Sequence, residues 1–150
     1  MESYEICSST LIIKPKDKNQ AYVYELNDEF VVDRRAVKIV DDSCKFFGSD
    51  LVGRQNGTKS LIGVRIKVPI IVEETKSLIF FPTASPRYDD CVWVSFNNLV
   101  KYQKISKEQT KLIFINNKEI VVDVSYNIID NQITRCIRLE RTLLSRKKAI

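Results

Sequence analysis

The sequence predicts an α+β fold, predominantly antiparallel β-sheet or a partly open barrel, with one or two short helices near residues 34–57 and a C-terminal amphipathic basic helix. Three observations lead there. Short runs rich in β-branched and aromatic residues, bounded by Pro, Gly, Asn or Asp, recur before residue 33 and again between residues 61 and 123. Between these two regions Val37, Val40, Cys44 and Phe47 return at steps of three and four. Near the C-terminus a helical period puts Ile129, Ile133, Cys136, Ile137, Leu143 and Leu144 on one face, while Arg135, Arg138 and Arg146 fall within about 80° of each other on the opposite one.

Taken in order, Tyr4 to Ile13 reads as a first strand stopped by Lys14-Pro15. Ala21 to Leu26 and Phe30 to Val32 read as a hairpin, because Asn27-Asp28 tolerates the left-handed backbone of a tight turn. Asp33 is the expected cap of a helix starting at Arg34 and ended by Gly48; Ser49 is the expected cap of a second, short helix ended by Gly57. Leu61 to Val72 reads as a strand bent or placed at an edge by Pro69. Ser77 to Phe81 and Cys91 to Phe96 are strands separated by the loop Thr83 to Asp90. Val100 to Ile105 is a further strand, and Lys111 to Ile115 with Glu119 to Asp123 form a hairpin around Asn116-Asn117, giving eight or nine strands in all. The last helix starts near Ser125 or Asn127 and runs to about Ser145, and Arg146-Lys147-Lys148 complements its C-terminal dipole.

At 150 residues, with no repeat, low-complexity tract or Gly/Ser linker, a single domain over 1–150 is expected. Neither a signal-like N-terminus nor an apolar run of membrane-span length is found, which points to a cytoplasmic protein without membrane contact. Cys7, Cys44, Cys91 and Cys136 stand far apart with no CxxC pair, as reduced structural thiols do. Histidine is absent, which removes the commonest general base, the commonest metal ligand and every Ser-His or Cys-His nucleophile pair. Asp41-Asp42 and Asp89-Asp90 are poor metal clamps because sequence neighbours point apart, and Gly48, Gly53 and Gly57 match neither dinucleotide nor P-loop spacing. No catalytic residue, no metal and no cofactor is therefore expected.

Charge is more informative. Residues 75–150 carry 13 Lys/Arg against 7 Asp/Glu, and within the first half Ser43 to Val72 holds five cations against the single acid Asp50. Lys45, Arg54, Lys59, Arg65, Lys67, Arg87, Arg135 and Arg138 lie on separate elements, as a surface that tracks phosphates requires, and Ser49 and Thr83 head turns expected to offer free N–H groups. Arginine suits narrow minor grooves through its planar fork and weak hydration. Phe46, Phe47, Phe80, Phe81 and Trp93 sit in apolar runs and are expected in the core.

Several ordered blocks then show a resemblance. Ile39-Val40-Asp41-Asp42-Ser43-Cys44-Lys45-Phe46-Phe47-Gly48-Ser49, Gly53-Arg54, Gly57-Thr58, Lys67-Val68-Pro69-Ile70, Phe81-Pro82-Thr83-Ala84-Ser85, Trp93-Val94-Ser95 and Ser125-Tyr126-Asn127 resemble the ComK family of bacterial competence transcription factors, over roughly Tyr4 to Leu144. The resemblance implies sequence-specific binding of double-stranded DNA at A·T-rich boxes through the minor groove, as dimers that pair into tetramers, and activation of DNA-uptake genes with RNA polymerase as a further partner. It leaves unassigned the control by adaptor and protease that acts on a longer C-terminal tail in some relatives, since this sequence stops soon after the basic helix. Lys45 and Arg54 are the expected central contacts, with Arg65, Lys67 and Arg87 along the backbone and Arg135 and Arg138 as a second stripe facing phosphate or another subunit. The rival from another class is a protein-interaction module whose basic face meets an acidic partner; a nuclease built on the aspartates ranks third.

Overall fold

The computed structural model describes residues 1–148. Nine strands and three helices follow in the order β1 (Thr10–Pro15), β2 (Ala21–Glu25), β3 (Glu29–Val32), α1 (Ala36–Phe46), α2 (Leu51–Ile62), β4 (Ile70–Glu73), β5 (Leu78–Pro82), β6 (Trp93–Ser95), β7 (Leu99–Ser106), β8 (Gln109–Phe114), β9 (Glu119–Val122) and α3 (Tyr126–Lys148). The first six strands make one antiparallel sheet in the order β3-β2-β1-β6-β5-β4, and the last three make a second, β7-β8-β9. Both sheets are open, so among the described residues the barrel alternative is not realised.

The six-stranded sheet is buried on both faces, which explains why its strands read as continuous apolar runs rather than strict alternations. On one face Ile13, Val23, Ile70, Phe80 and Trp93 pack with Ile39, Val40 and Cys44 of α1. On the other, Ile12, Ile79, Phe81 and Val94 pack with Leu112 and Phe114 of the small sheet and Ile129, Cys136 and Leu139 of α3. Helix α2 joins the two: Leu51 belongs to the first cluster and Ile62 to the second, and the helix contacts α1, β4 and α3. No described helix is long and apolar enough to cross a membrane.

Several local expectations change. Tyr4 to Ile6 stays outside β1; Tyr4 instead packs on Phe30 at 5.4 Å, and its hydroxyl meets Thr10 and Glu25. Arg35, whose side chain has no acceptor, is the N-cap residue of α1 and makes no side-chain cap bond; the expected cap, Asp33, lies two residues earlier and accepts from Gln20 Nε2 at 2.6 Å. Helix α2 is capped by Asp50, whose carboxylate accepts from the Gly53 N–H at 2.6 Å, rather than by Ser49. The helix also runs through Gly57 to Gly63, which ends it with φ 72°. A mid-helix glycine costs about 1 kcal/mol. Here Thr58, bonded through Oγ1 to the Pro69 carbonyl at 2.6 Å, and the packed Leu61 and Ile62 outweigh it. Consequently β4 begins only at Ile70, and residues 63–69 form a loop where a strand was expected.

The aromatic expectation fails for one residue. Phe80, Phe81 and Trp93 are buried and Phe47 packs against the core, but Phe46 is 65% exposed and touches Phe47 edge-on. Helix α3 keeps most of its predicted face: Ile129 and Cys136 are buried, and Ile133 and Leu143 pack against the same core. Ile129, Gln132, Cys136 and Leu139 point inward, while Ile137 and Leu144 are exposed. Gln132, a polar residue, can be buried beside that face because both hydrogen bonds of its amide nitrogen reach backbone carbonyls, Lys67 and Pro82, at 2.7 Å.

Candidate nucleic-acid interface

Three pieces of backbone meet along one edge of the molecule: the outer face of α2, the loop 63–69 and the loop 83–90. They enclose an open groove of about 430 Å³. Lys59 reaches it from α2, Arg65 and Lys67 from the first loop, and Arg87 from the second. An adjoining hollow adds Arg35 from the start of α1. No carboxylate lines either space, although Asp89 stands nearby and holds Arg35 at 3.4 Å. Four cations on three segments line the groove with no acid among them, and Arg35, paired with Asp89, adjoins them, so the local field is positive.

The loop carrying Arg65 and Lys67 is fixed by side chains rather than by strand pairing. Arg138 Nη2 donates to the Ile62 carbonyl at 3.0 Å, Arg135 Nη1 to Ile66 at 2.9 Å, Gln132 Nε2 to Lys67 at 2.7 Å and Thr58 Oγ1 to Pro69 at 2.6 Å. Each such bond contributes about 0.5–1.5 kcal/mol, and those from a guanidinium more. Together they hold Lys67 at φ 50°, a left-handed conformation that a non-glycine residue keeps only when its surroundings impose it. The second loop is tied by Thr83, whose N–H donates to the Val92 carbonyl at 2.9 Å and whose hydroxyl accepts the Val92 N–H at 3.0 Å. Arg87 then lies over the Tyr88 ring at 5.1 Å.

Of the eight cations expected to contact DNA, the fold thus gathers Lys59, Arg65, Lys67 and Arg87 into one groove. The other four have partners within the chain. Lys45 pairs with Asp41 at 3.1 Å, one helical turn back. Arg54 pairs with Glu74 at 2.8 Å; its side chain is only 15% exposed, and its Nε is buried without a partner. Arg135 and Arg138 donate to the loop carbonyls already described.

Two turns expected to offer free N–H groups are also occupied. Asp41 Oδ1 accepts the Leu51 N–H at 2.9 Å and Asp50 accepts that of Gly53, so two carboxylates already sit at the α2 N-terminus. The Leu51 N–H, followed by Lys45, holds the Asp41 carboxyl below its ordinary range. Asp42 likewise pairs with Lys38 and Arg34. Among the thiols, burial pushes Cys44 up to about 12 and Cys91 up to about 11, and it raises Cys136 as well.

Arg35, Gln55, Ile66 and Tyr88 belong to this region and were not singled out from sequence. Ile66 was hidden by its place in an apparent strand, and the signal that exposes it is Gly63. With Gly63 rather than Gly57 as the helix stop, residues 64–69 become a loop with cations at its tip.

Comparison with known proteins gives a consistent result. A family model described as ComK protein matches residues 1–148. The competence transcription factor of Bacillus subtilis (strain 168) is 32% identical over 138 residues, which cover 90% of this chain and 72% of that protein. No solved structure matches.

Proposed function

The chain belongs to the ComK family, and from that premise we propose that it is a cytoplasmic competence transcription activator that binds A·T-rich duplex DNA without catalysis or cofactor. The observation that carries this reading is the acid-free groove of Lys59, Arg65, Lys67 and Arg87, with Arg35 alongside. Phosphates of one strand run past Lys59 and Arg87, while Arg65 and Lys67, on the clamped loop, approach the narrow, strongly negative minor groove that A·T tracts provide. Arg135, Arg138 and Gln132 act by presenting that loop. Lys45 and Arg54 stand outside the groove, and any contact they make requires release from Asp41 and Glu74. Binding as a homo-oligomer, with RNA polymerase recruited to the bound complex, completes the proposal; paired sites double the phosphate contacts without requiring a larger groove.

A mobility shift on A·T-rich and G·C-rich duplexes across a salt series tests it. Alanine at Lys59, Arg65, Lys67 or Arg87 is expected to lower the slope of log affinity against log salt by about one per residue. Equal affinity for both duplexes rules out the minor-groove reading. Slopes that the four substitutions leave unchanged, with tight capture of an acidic protein instead, favour the interaction-module alternative.

A further inference from the structure

Ile66 is 69% exposed, more than any other large apolar residue described. Single exposed apolar side chains are ordinary on protein surfaces, so exposure alone says little. What sets Ile66 apart is its mounting. It lines the cationic groove between Arg65 and Lys67. Its own carbonyl is held by Arg135 at 2.9 Å, and the next is held by Gln132 at 2.7 Å. Slack in the chain does not explain its position, because its own carbonyl and the next are bonded to α3, the Ile62 carbonyl upstream is too, and the following residue sits at φ 50°. A branched apolar side chain is thus held outward, on a fixed backbone, among the cations that would face phosphate.

We propose that Ile66 is a wedge that inserts between base pairs from the minor groove and kinks the duplex, an inference that rests on the DNA-binding reading above. Minor-groove proteins that kink DNA do so with apolar side chains of this kind, entering beside cations that neutralise the flanking phosphates. A·T-rich DNA suits such entry, because its TA steps unstack more easily than other steps. The rigid mounting matters, because unstacking costs a few kcal/mol per step. A side chain on a mobile loop would retract rather than force the step open.

The test uses A·T-rich duplexes carrying 2-aminopurine at successive positions, whose fluorescence rises on unstacking, together with end-to-end energy transfer to read the bend. Full-length protein is expected to raise the fluorescence at one step and to shorten the end-to-end distance. Ile66→Ala should abolish both signals. Its affinity should change by less than about tenfold, since losing the wedge removes the unstacking cost along with the extra protein–DNA interactions that a bent duplex permits. Its melting temperature and salt slope should match the parent. Arg65→Ala should do the reverse, lowering the salt slope while keeping the fluorescence rise. Persistence of both signals in Ile66→Ala overturns the wedge, as does a parent protein that binds without unstacking any step; either result leaves the groove reading standing. A parent that binds none of these duplexes overturns both.

Discussion

Arg135 Nη1 lies 2.9 Å from the carbonyl oxygen of Ile66, so a cation of α3 is directed at the protein's own backbone rather than at solvent. The same guanidinium reaches the Lys67 carbonyl at 3.4 Å and the Gln132 side chain at 3.4 Å. Arg135 therefore shapes the loop that carries Arg65, Ile66 and Lys67. This role differs measurably from phosphate contact.

Arg135→Ala is expected to weaken binding to A·T-rich DNA about tenfold while leaving the salt slope at its parental value, because no phosphate contact is removed. Stability should fall by about 1.5–3 kcal/mol, the worth of a hydrogen bond from a charged group. Mobility shifts at several salt concentrations, paired with a urea titration, make the check. A slope lower by about one would instead identify Arg135 as a phosphate contact.

Asp41 offers a prediction about acid. Its carboxylate accepts the Leu51 N–H and pairs with Lys45, tying α1 to the start of α2, and these interactions depress its folded-state pKa. A depressed carboxyl contributes stability that is fully present above its unfolded value of about 3.9 and is lost as pH falls through the lower folded value. Asp41→Asn keeps an acceptor for the Leu51 N–H but has no charge to lose. Urea midpoints measured from pH 7 downward should therefore fall less steeply for Asp41→Asn than for the parent. Some slope should remain, since Glu73, held by Thr75 at the β4–β5 turn, is depressed as well. Parallel curves would refute the assignment. At neutral pH Asp41→Ala should cost about 1 kcal/mol, the usual effect of losing one such hydrogen bond.

Local period and turn chemistry made most of this fold legible. The β8–β9 hairpin with left-handed Asn117 and the helix stop at Gly48 follow from residue type; the β2–β3 hairpin forms where expected, although neither Asn27 nor Asp28 takes a positive φ. What period and residue type do not encode is competition between distant partners. Asp33 looks like a cap until Gln20 takes its carboxylate, and Gly57 looks like a stop until Thr58 finds Pro69. For the site, residue type marked eight cations as candidates, of which Lys59, Arg65, Lys67 and Arg87 line one groove. It did not separate them from Arg54, Arg135 and Arg138, because a clamp and a contact are the same residue type until the carbonyl or carboxylate opposite is known. Phe46 and Ile66 were hidden for a related reason: an apolar side chain inside an apolar run reads as core wherever it points.

Trp93 tests the support beneath the groove. The side chain is completely buried in β6, between Ile13 of β1 and Pro82 of β5, and its indole N–H has no hydrogen-bond partner. Trp93→Ala should cost ~3–5 kcal/mol through cavity formation. Trp93→Phe should cost far less than its loss of volume suggests, at most about 1.5 kcal/mol, because it also removes an unpaired buried donor whose desolvation costs about 1–3 kcal/mol. Denaturant midpoints of the three proteins decide the matter, and a Phe variant as unstable as the Ala variant would sink this account of the N–H. Pro82 next to Trp93 accepts from Gln132, which also holds the Lys67 carbonyl. A cavity at Trp93 should therefore loosen the loop as well, and Trp93→Ala should lose DNA affinity at temperatures where it is still folded, whereas Trp93→Phe should keep it.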